Sequence, residues 1–202
     1  GYKKSHIIEN ISPFPPKKWS KNLYLDGYWQ KESHLLRLGD DIHKLFQIKR
    51  SLSSKAYEIL EKIKGTDSVS LHIRRGDYIS NQKIYNFHGV CDREYYENGI
   101  SFITHKVQDP NYFIFSDDID WCKLNFDIKN ATFIDFKRED FVDLHLMKSC
   151  KHNIIANSSF SYWGAYLNQN LEKIVISPKR WFKDQKADKN SQGLLPKSWI
   201  KI

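Results

Sequence analysis

No stretch of this chain approaches the roughly 18 consecutive apolar residues that a membrane-spanning helix requires, so no transmembrane segment is expected. Nor does it open with the basic, apolar and small-residue succession of a secretory leader. Cysteine is rare. Cys91, Cys122 and Cys150 are odd in number and lack metal-ligand spacing, which predicts free thiols in a reducing compartment. Glycine is sparse too, and Gly89, Gly99 and Gly164 build neither a G-x-G-x-x-G fingerprint nor a P-loop, which removes support from dinucleotide and ATPase readings. Arginine is scarce beside lysine, seven against 25. The lysines are spread along the chain rather than gathered in a stripe, and no nucleic-acid signature accompanies them, so no nucleic-acid partner is expected.

What is present is enough apolar material for a real core: 40% hydrophobic and 14% aromatic residues in 202, sufficient for one sizeable domain or two small ones. The formal charge of +8 favours acidic partners, among them nucleotide phosphates and the face of an anionic membrane held peripherally. With its Lys-, Asn- and Ile-rich composition and free thiols, the chain suits a bacterial cytoplasm, free or peripheral to the inner membrane. Asn10, Asn130 and Asn157 each begin an N-x-Ser/Thr triplet, read here as chance matches in an Asn- and Ser-rich chain.

Residues 1–50 read as a connector with short helices. A Pro13-Phe14-Pro15-Pro16 cluster predicts extended backbone, Leu23 to Gln30 a strand and turn plugged into a core, and 31–38 and 40–50 two charged helices. Tyr28 and Trp29 are weak candidates for stacking on a substrate. Between Ser51 and Lys64 apolar residues recur at helical spacing, with serines available as caps and Gly65 at the end. Strands are then predicted at 69–73, 112–116, 131–135, 152–156 and 173–177. Helices over about 92–107, 118–126, 138–150 and 157–170 alternate with them, and a loop runs through 85–90. That alternation predicts an α/β fold with a doubly wound parallel sheet over residues 51–202.

The most informative stretch is Ser68 to Tyr78. An apolar run turns abruptly into Arg74-Arg75-Gly76-Asp77, so a buried strand opens into a polar end, where open parallel sheets present their ligand groups. Side chains alternate along a strand, so His72 and Arg74 share a face and Arg75 starts on the other, while Gly76 permits a turn. The Arg-Gly-Asp triplet at 75–77 directly follows that strand, which argues against an adhesion loop. Two further strand ends are polar: Ser116-Asp117-Asp118 and Asn157-Ser158-Ser159. All three should meet at one crevice. Asn157-Ser158-Ser159 also opens a helix, whose free N–H groups suit a phosphate, although plain helix capping needs no ligand. Arginine forks grip phosphate oxygens, and Asp117 or Asp118 can accept from the N1–H and N2–H₂ pair of a guanine. Asp118-Ile119-Asp120 also spells a D-x-D metal pattern, the weaker reading beside an arginine pair that already supplies positive charge.

His72-Ile73-Arg74-Arg75-Gly76-Asp77-Tyr78 resembles the H-x-R-R-G-D-Y motif of the α-1,2-fucosyltransferases, glycosyltransferase family 11. Gly27-Tyr28-Trp29-Gln30, Phe87-His88-Gly89-Val90-Cys91, Phe115 to Asp118, Lys151 to Ala165, Pro178 to Phe182 and Leu195 to Ile200 match that family's pattern in order, so the resemblance covers about residues 22–202. It implies the GDP-fucose-binding, Rossmann-like half of a GT-B enzyme. Such an enzyme is inverting, needs no metal or other cofactor, and passes L-fucose from GDP-L-fucose to the 2-hydroxyl of a terminal galactose on a glycan acceptor. By the same resemblance Arg74 and Arg75 hold the GDP phosphates with Ser158 and Ser159. His72 and Asp117 or Asp118 hold the guanosine, and Asn157 belongs to the same cofactor-binding set. The general base is left among Asp77, Glu94 and His88. The family's Gly-rich N-terminal G-G-L-G-N-Q-type segment has no counterpart in these residues, so the resemblance reaches the C-terminal half and the interdomain connector, and two alternatives stay open: a non-catalytic sugar-nucleotide-binding module, and a fucosyltransferase of different linkage, to a 6-hydroxyl or a protein acceptor.

Overall fold

The computed structural model describes residues 6–8, 23–136 and 139–202; the Pro13–Pro16 cluster lies outside them. Strand β1 (His6–Ile8) pairs in parallel with β2 (Tyr24–Asp26) in a small sheet of their own. Residues 23–30 therefore do not plug into the core as the sequence predicts: Tyr24 is 66% and Tyr28 74% exposed, and Gln30 alone of the segment is fully buried. Two short helices follow, α1 (Glu32–Leu35) and α2 (Asp41–Leu45).

Helix α3 (Ser54–Lys64) begins where Ser53 Oγ accepts from the Ala56 amide at 3.3 Å and turns Ala56, Leu60 and Ile63 inward. It leads into β3 (Ser68–Ile73), buried along its whole length, as a central parallel strand must be. Two short helices, α4 (Gly76–Ser80) and α5 (Gln82–His88), occupy the segment read as a loop, the second capped by Asn81 and closed by Gly89 at φ +64°. Helix α6 (Arg93–Lys106), capped by Asp92, returns the chain to β4 (Asn111–Ser116). Then come α7 (Ile119–Asn125), β5 (Ala131–Ile134), α8 (Asp140–Ser149), β6 (His152–Ile154), α9 (Ser159–Tyr166), β7 (Val175–Ser177), α10 (Gln185–Asn190) and β8 (Ile200–Lys201).

The main sheet has six strands in the order β5-β4-β3-β6-β7-β8, every described pairing parallel. The chain winds outward from β3 through β4 to β5, then crosses back to lay β6 on the other side of β3. This is the doubly wound order, and the place where winding reverses, between β3 and β6, is where such sheets leave a crevice at their carboxyl ends. The sixth strand exceeds the predicted five. It is β8, whose Ile200 and Lys201 pair with Ile176 and Ser177 of β7. Alternation along the strands sorts the core. Val69, Leu71, Ile73 and Ile114 pack with Tyr96 and Ile103 of α6, whereas Phe113 and Phe115 face α3 and α8.

Candidate active site

At the carboxyl end of β3 the alternation separates the two arginines. Arg74 turns toward a cleft of about 710 Å³ that His72, Asp117, Ser158 and Ser159 also line. Arg75 turns to the opposite face. There its Nε donates to Asp118 Oδ2 at 3.0 Å, and its guanidinium lies 3.6 Å from the centre of the Trp121 ring. The structure thus brings together Arg74, His72 and the serine pair, and places the Arg75 side chain behind them. Asp118 is committed to Arg75 and to capping α7 through the Trp121 amide at 3.3 Å.

Asp117 is a brace. One carboxylate oxygen accepts from the Arg75 amide at 2.9 Å and the other meets Arg74 Nη1 at 2.9 Å. This explains Gly76. Its backbone is helical rather than a turn needing positive φ, and a Cβ there would collide with the Asp117 carboxylate, so glycine serves close approach. Arg74 Nη2 also donates to Asp77 at 2.6 Å, while its Nε–H has no acceptor.

His72 is only 5% exposed and packs on Phe160, ring centres 5.5 Å apart. Burial first, and the Arg74 charge second, hold its pKa down to about 3, so the ring is neutral at any physiological pH, and its Nδ1 has no partner. At the far end of the cleft stand Asp135, Asp140 and Asp143. Burial, reinforced by Asp140, Asp135 and Glu139, pushes the Asp143 carboxyl up to about 7, and its Oδ1 is buried without a hydrogen bond. Among the described residues lining the cleft, Arg74 is the only guanidinium or ammonium against Asp77, Asp117 and this acidic end.

The helix-capping alternative for Ser158 is answered by geometry. Ser158 is the N-cap residue of α9, yet its side chain makes no capping bond; Ser161 Oγ instead accepts from the Ala156 amide at 2.9 Å. The first-turn N–H groups and both serine hydroxyls are left at the cleft. Asn157 does something else. Its amide Nδ2 donates to the carbonyls of His88 at 2.9 Å and Trp181 at 3.2 Å, with Gly89 at 3.5 Å, so it ties two segments, the end of α5 and the stretch around Trp181, to the end of β6. Asn157→Ala strips those carbonyls of their donor and should cost about 2 kcal/mol of stability, read as a lower urea midpoint at unchanged m.

Of the three candidate bases, Glu94 lies exposed on α6 beside a different hollow, with Tyr85 and Lys179. Asp77 is bound to Arg74. His88 lines the cleft, stacks on Tyr78 at 4.7 Å, and has no partner at Nδ1; burial, outweighing Asp77, lowers its pKa. Sequence reasoning missed Asp143, Tyr78 and Phe160. The helical period of α8 was legible, but nothing local to Asp143 marks it as facing a cleft rather than solvent.

Comparison with known proteins agrees with this architecture. The model of glycosyl transferase family 11 matches residues 9–202. An alpha-1,2-colitosyltransferase of Escherichia coli is 38% identical over 185 residues, covering 87% of this chain and 61% of the relative. The E. coli O-antigen biosynthesis glycosyltransferase WbnK is 38% identical over 190 residues, covering 90% and 62%. The human galactoside alpha-(1,2)-fucosyltransferase 1 is 26% identical over 157 residues, covering 72% and 43%. The chain thus spans less than two thirds of the length of these relatives. No described helix is long and apolar enough to cross a membrane. On the match over nearly its whole length, the chain belongs to glycosyltransferase family 11.

Proposed function

We propose that this chain carries the GDP-L-fucose-binding, Rossmann-like half of an α-1,2-fucosyltransferase of GT-B architecture, passing fucose to the 2-hydroxyl of a terminal galactose with inversion. One observation carries the reading. A single cleft at the winding reversal holds, in order, a buried carboxyl without a partner, a neutral histidine, an arginine with a spare N–H, and an uncapped helix start. That order matches a guanosine diphosphate. The Asp143 carboxylate accepts the guanine N1–H and N2–H₂ pair, His72 and Phe160 border the nucleoside, and Arg74 with the α9 N–H groups takes the phosphates.

In the reaction, charge grows on the departing β-phosphate as the bond to fucose C1 lengthens. Arg74 and the fixed N–H groups meet that charge without reorganising and without calling on a metal. The phosphate displaces the half-exposed Asp77 from Arg74. His88, kept neutral by burial, is the base we assign to the acceptor hydroxyl, and Asp77 holds the arginine only in the ligand-free site. The name of the colitosyltransferase relative supports colitose as a second sugar that the same site could transfer. A glycan acceptor and a cytoplasmic setting, free or peripheral to the inner membrane, belong to the same reading.

The test is thermal unfolding with GDP, UDP and ADP. GDP at a hundred times its dissociation constant adds about 2.7 kcal/mol and raises the midpoint, while the other two leave it near the apo value. Equal shifts with UDP or ADP would overturn the assignment. Because guanine needs the ionised Asp143, GDP affinity should also rise as pH increases through 7.

A further inference from the structure

His88 is fixed at both backbone and ring, yet one of its nitrogens is idle. Its carbonyl accepts from Asn157 Nδ2 at 2.9 Å and from the Lys183 amide at 3.1 Å, which pins the end of α5. Its ring stacks on Tyr78, with planes 22° from parallel, and meets Phe87 at 4.9 Å and Phe182 at 5.3 Å between ring centres. Nδ1 of that ring is nevertheless buried without a hydrogen bond. Two charges act on it in opposite senses: Asp77 raises its basicity and Arg74 lowers it. In the free chain those two are spent on each other, with Arg74 Nη2 donating to Asp77 Oδ1. The pair is partly exposed, 32% and 47% of the two side chains, and Arg74 Nη1 is braced separately by Asp117 at 2.9 Å. Losing Asp77 therefore costs little and leaves the guanidinium aimed as before.

We propose that Asp77 exchanges partners when a diphosphate arrives, leaving Arg74 to accept a hydrogen bond from His88 Nδ1–H, and so is a positioning residue for the base; the proposal rests on the nucleotide reading above. Phosphate oxygens take over the Arg74 fork and repel the carboxylate that held it. Asp77 and His88 line the same cleft, and Tyr78, next to Asp77 on α4, carries the ring on which His88 stacks, so a rotation of the Asp77 side chain is all the exchange asks. Neighbouring carboxylates are committed elsewhere, Asp117 to Arg74 and the Arg75 amide, Asp92 to the first turn of α6. The nearby Lys183 ammonium lies 3.8 Å from the centre of the Tyr85 ring. A neutral imidazole places its one proton according to the hydrogen bond its nitrogens find. In the free chain Nδ1 has no acceptor, and the proton stays on Nε2. With Asp77 beside it Nδ1 takes the proton, and Nε2 offers a lone pair to the acceptor hydroxyl. The base is thus armed only when the donor's diphosphate is in place.

The experiment is nitrogen-15 NMR of the His88 ring at pH 8, where the imidazole is neutral and Asp143 ionised, with and without saturating GDP. The signals are those lost in His88→Gln, and their two-bond couplings report which nitrogen holds the proton. The ring should pass from mainly Nε2–H in the free chain to mainly Nδ1–H with GDP. In Asp77→Ala it should stay mainly Nε2–H with GDP bound. Calorimetry of that variant should show GDP binding roughly fivefold tighter, because the phosphate no longer displaces a carboxylate. Asp77→Asn, which keeps the size and removes the charge, should tighten GDP likewise and covers the case in which Asp77→Ala does not fold. A side chain that merely supports the fold would move neither readout in these directions. A wild-type ring unchanged by GDP, a switch to Nδ1–H that persists in Asp77→Ala, or equal or weaker GDP binding in both variants overturns the exchange and leaves the nucleotide reading standing. A wild-type chain that ignores GDP overturns the nucleotide reading and the exchange with it.

Discussion

Arg74→Ala is expected to weaken GDP binding about a hundredfold, whereas Arg75→Ala should leave GDP affinity nearly intact and lower the stability of the fold. The two residues are neighbours of identical chemistry, so the contrast tests placement and nothing else. Arg74 faces the cleft with a spare N–H. Charge-assisted bonds from a guanidinium fork to a diphosphate are worth roughly 2–3 kcal/mol, which is the hundredfold. Arg75 is stacked on Trp121 and paired with Asp118, contacts that together contribute about 1–2 kcal/mol after allowing for the partial exposure of both partners. Arg74→Lys keeps the charge but not the fork and should fall between. Calorimetry with GDP and urea unfolding of each variant separate the two effects. A hundredfold loss in Arg75→Ala with unchanged stability would reverse the assignment.

Asp143→Asn is expected to stabilise the free protein at pH 8 by about 2 kcal/mol or more and, in the same molecule, to weaken GDP binding tens of times. The sign follows from the raised carboxyl. Below the ordinary value of 3.8 both folded and unfolded chains hold the proton. Between there and about 7 the folded chain retains a proton that the unfolded chain has released, so rising pH favours unfolding throughout that window. The amide removes the charge that burial opposes, and the stability gain should vanish by pH 4. It also replaces a two-oxygen acceptor by a group that presents N–H to the guanine N2–H₂, which is where the affinity goes. Urea titrations at pH 4 and 8 measure the first effect and calorimetry the second. A variant that binds GDP as tightly as the parent would remove Asp143 from the base site.

Much of this was legible before any coordinates. The β-branched runs, the capping serine at 53 and aspartate at 92, and the strand-helix alternation predict the parallel sheet, because each is a local preference that the tertiary structure keeps. The convergence of His72, Arg74 and Ser158–Ser159 was legible for the same reason: strand ends in a doubly wound sheet share an edge. The split between Arg74 and Arg75 was readable from the period of two, and the family resemblance overrode it. Asp143 was not readable. Its burial depends on how α8 meets β5 across a cleft, and no spacing within α8 encodes that. The exposed β2 segment was misread because aromatic content predicts burial only when a partner surface lies within reach.

The crossing-back that makes the crevice also orders its construction during translation. β3 is finished near residue 73, and its neighbour on one side, β4, near 116, but the strand that closes its other side is not made until residue 154. For some 80 residues of synthesis one edge of a strand that is wholly buried in the finished fold stands open, the kind of edge that invites pairing with another chain. The ligand cleft is therefore completed only once β6 and the start of α9 are made, and the nascent half-sheet before that point is the stage at which a chaperone has most to protect.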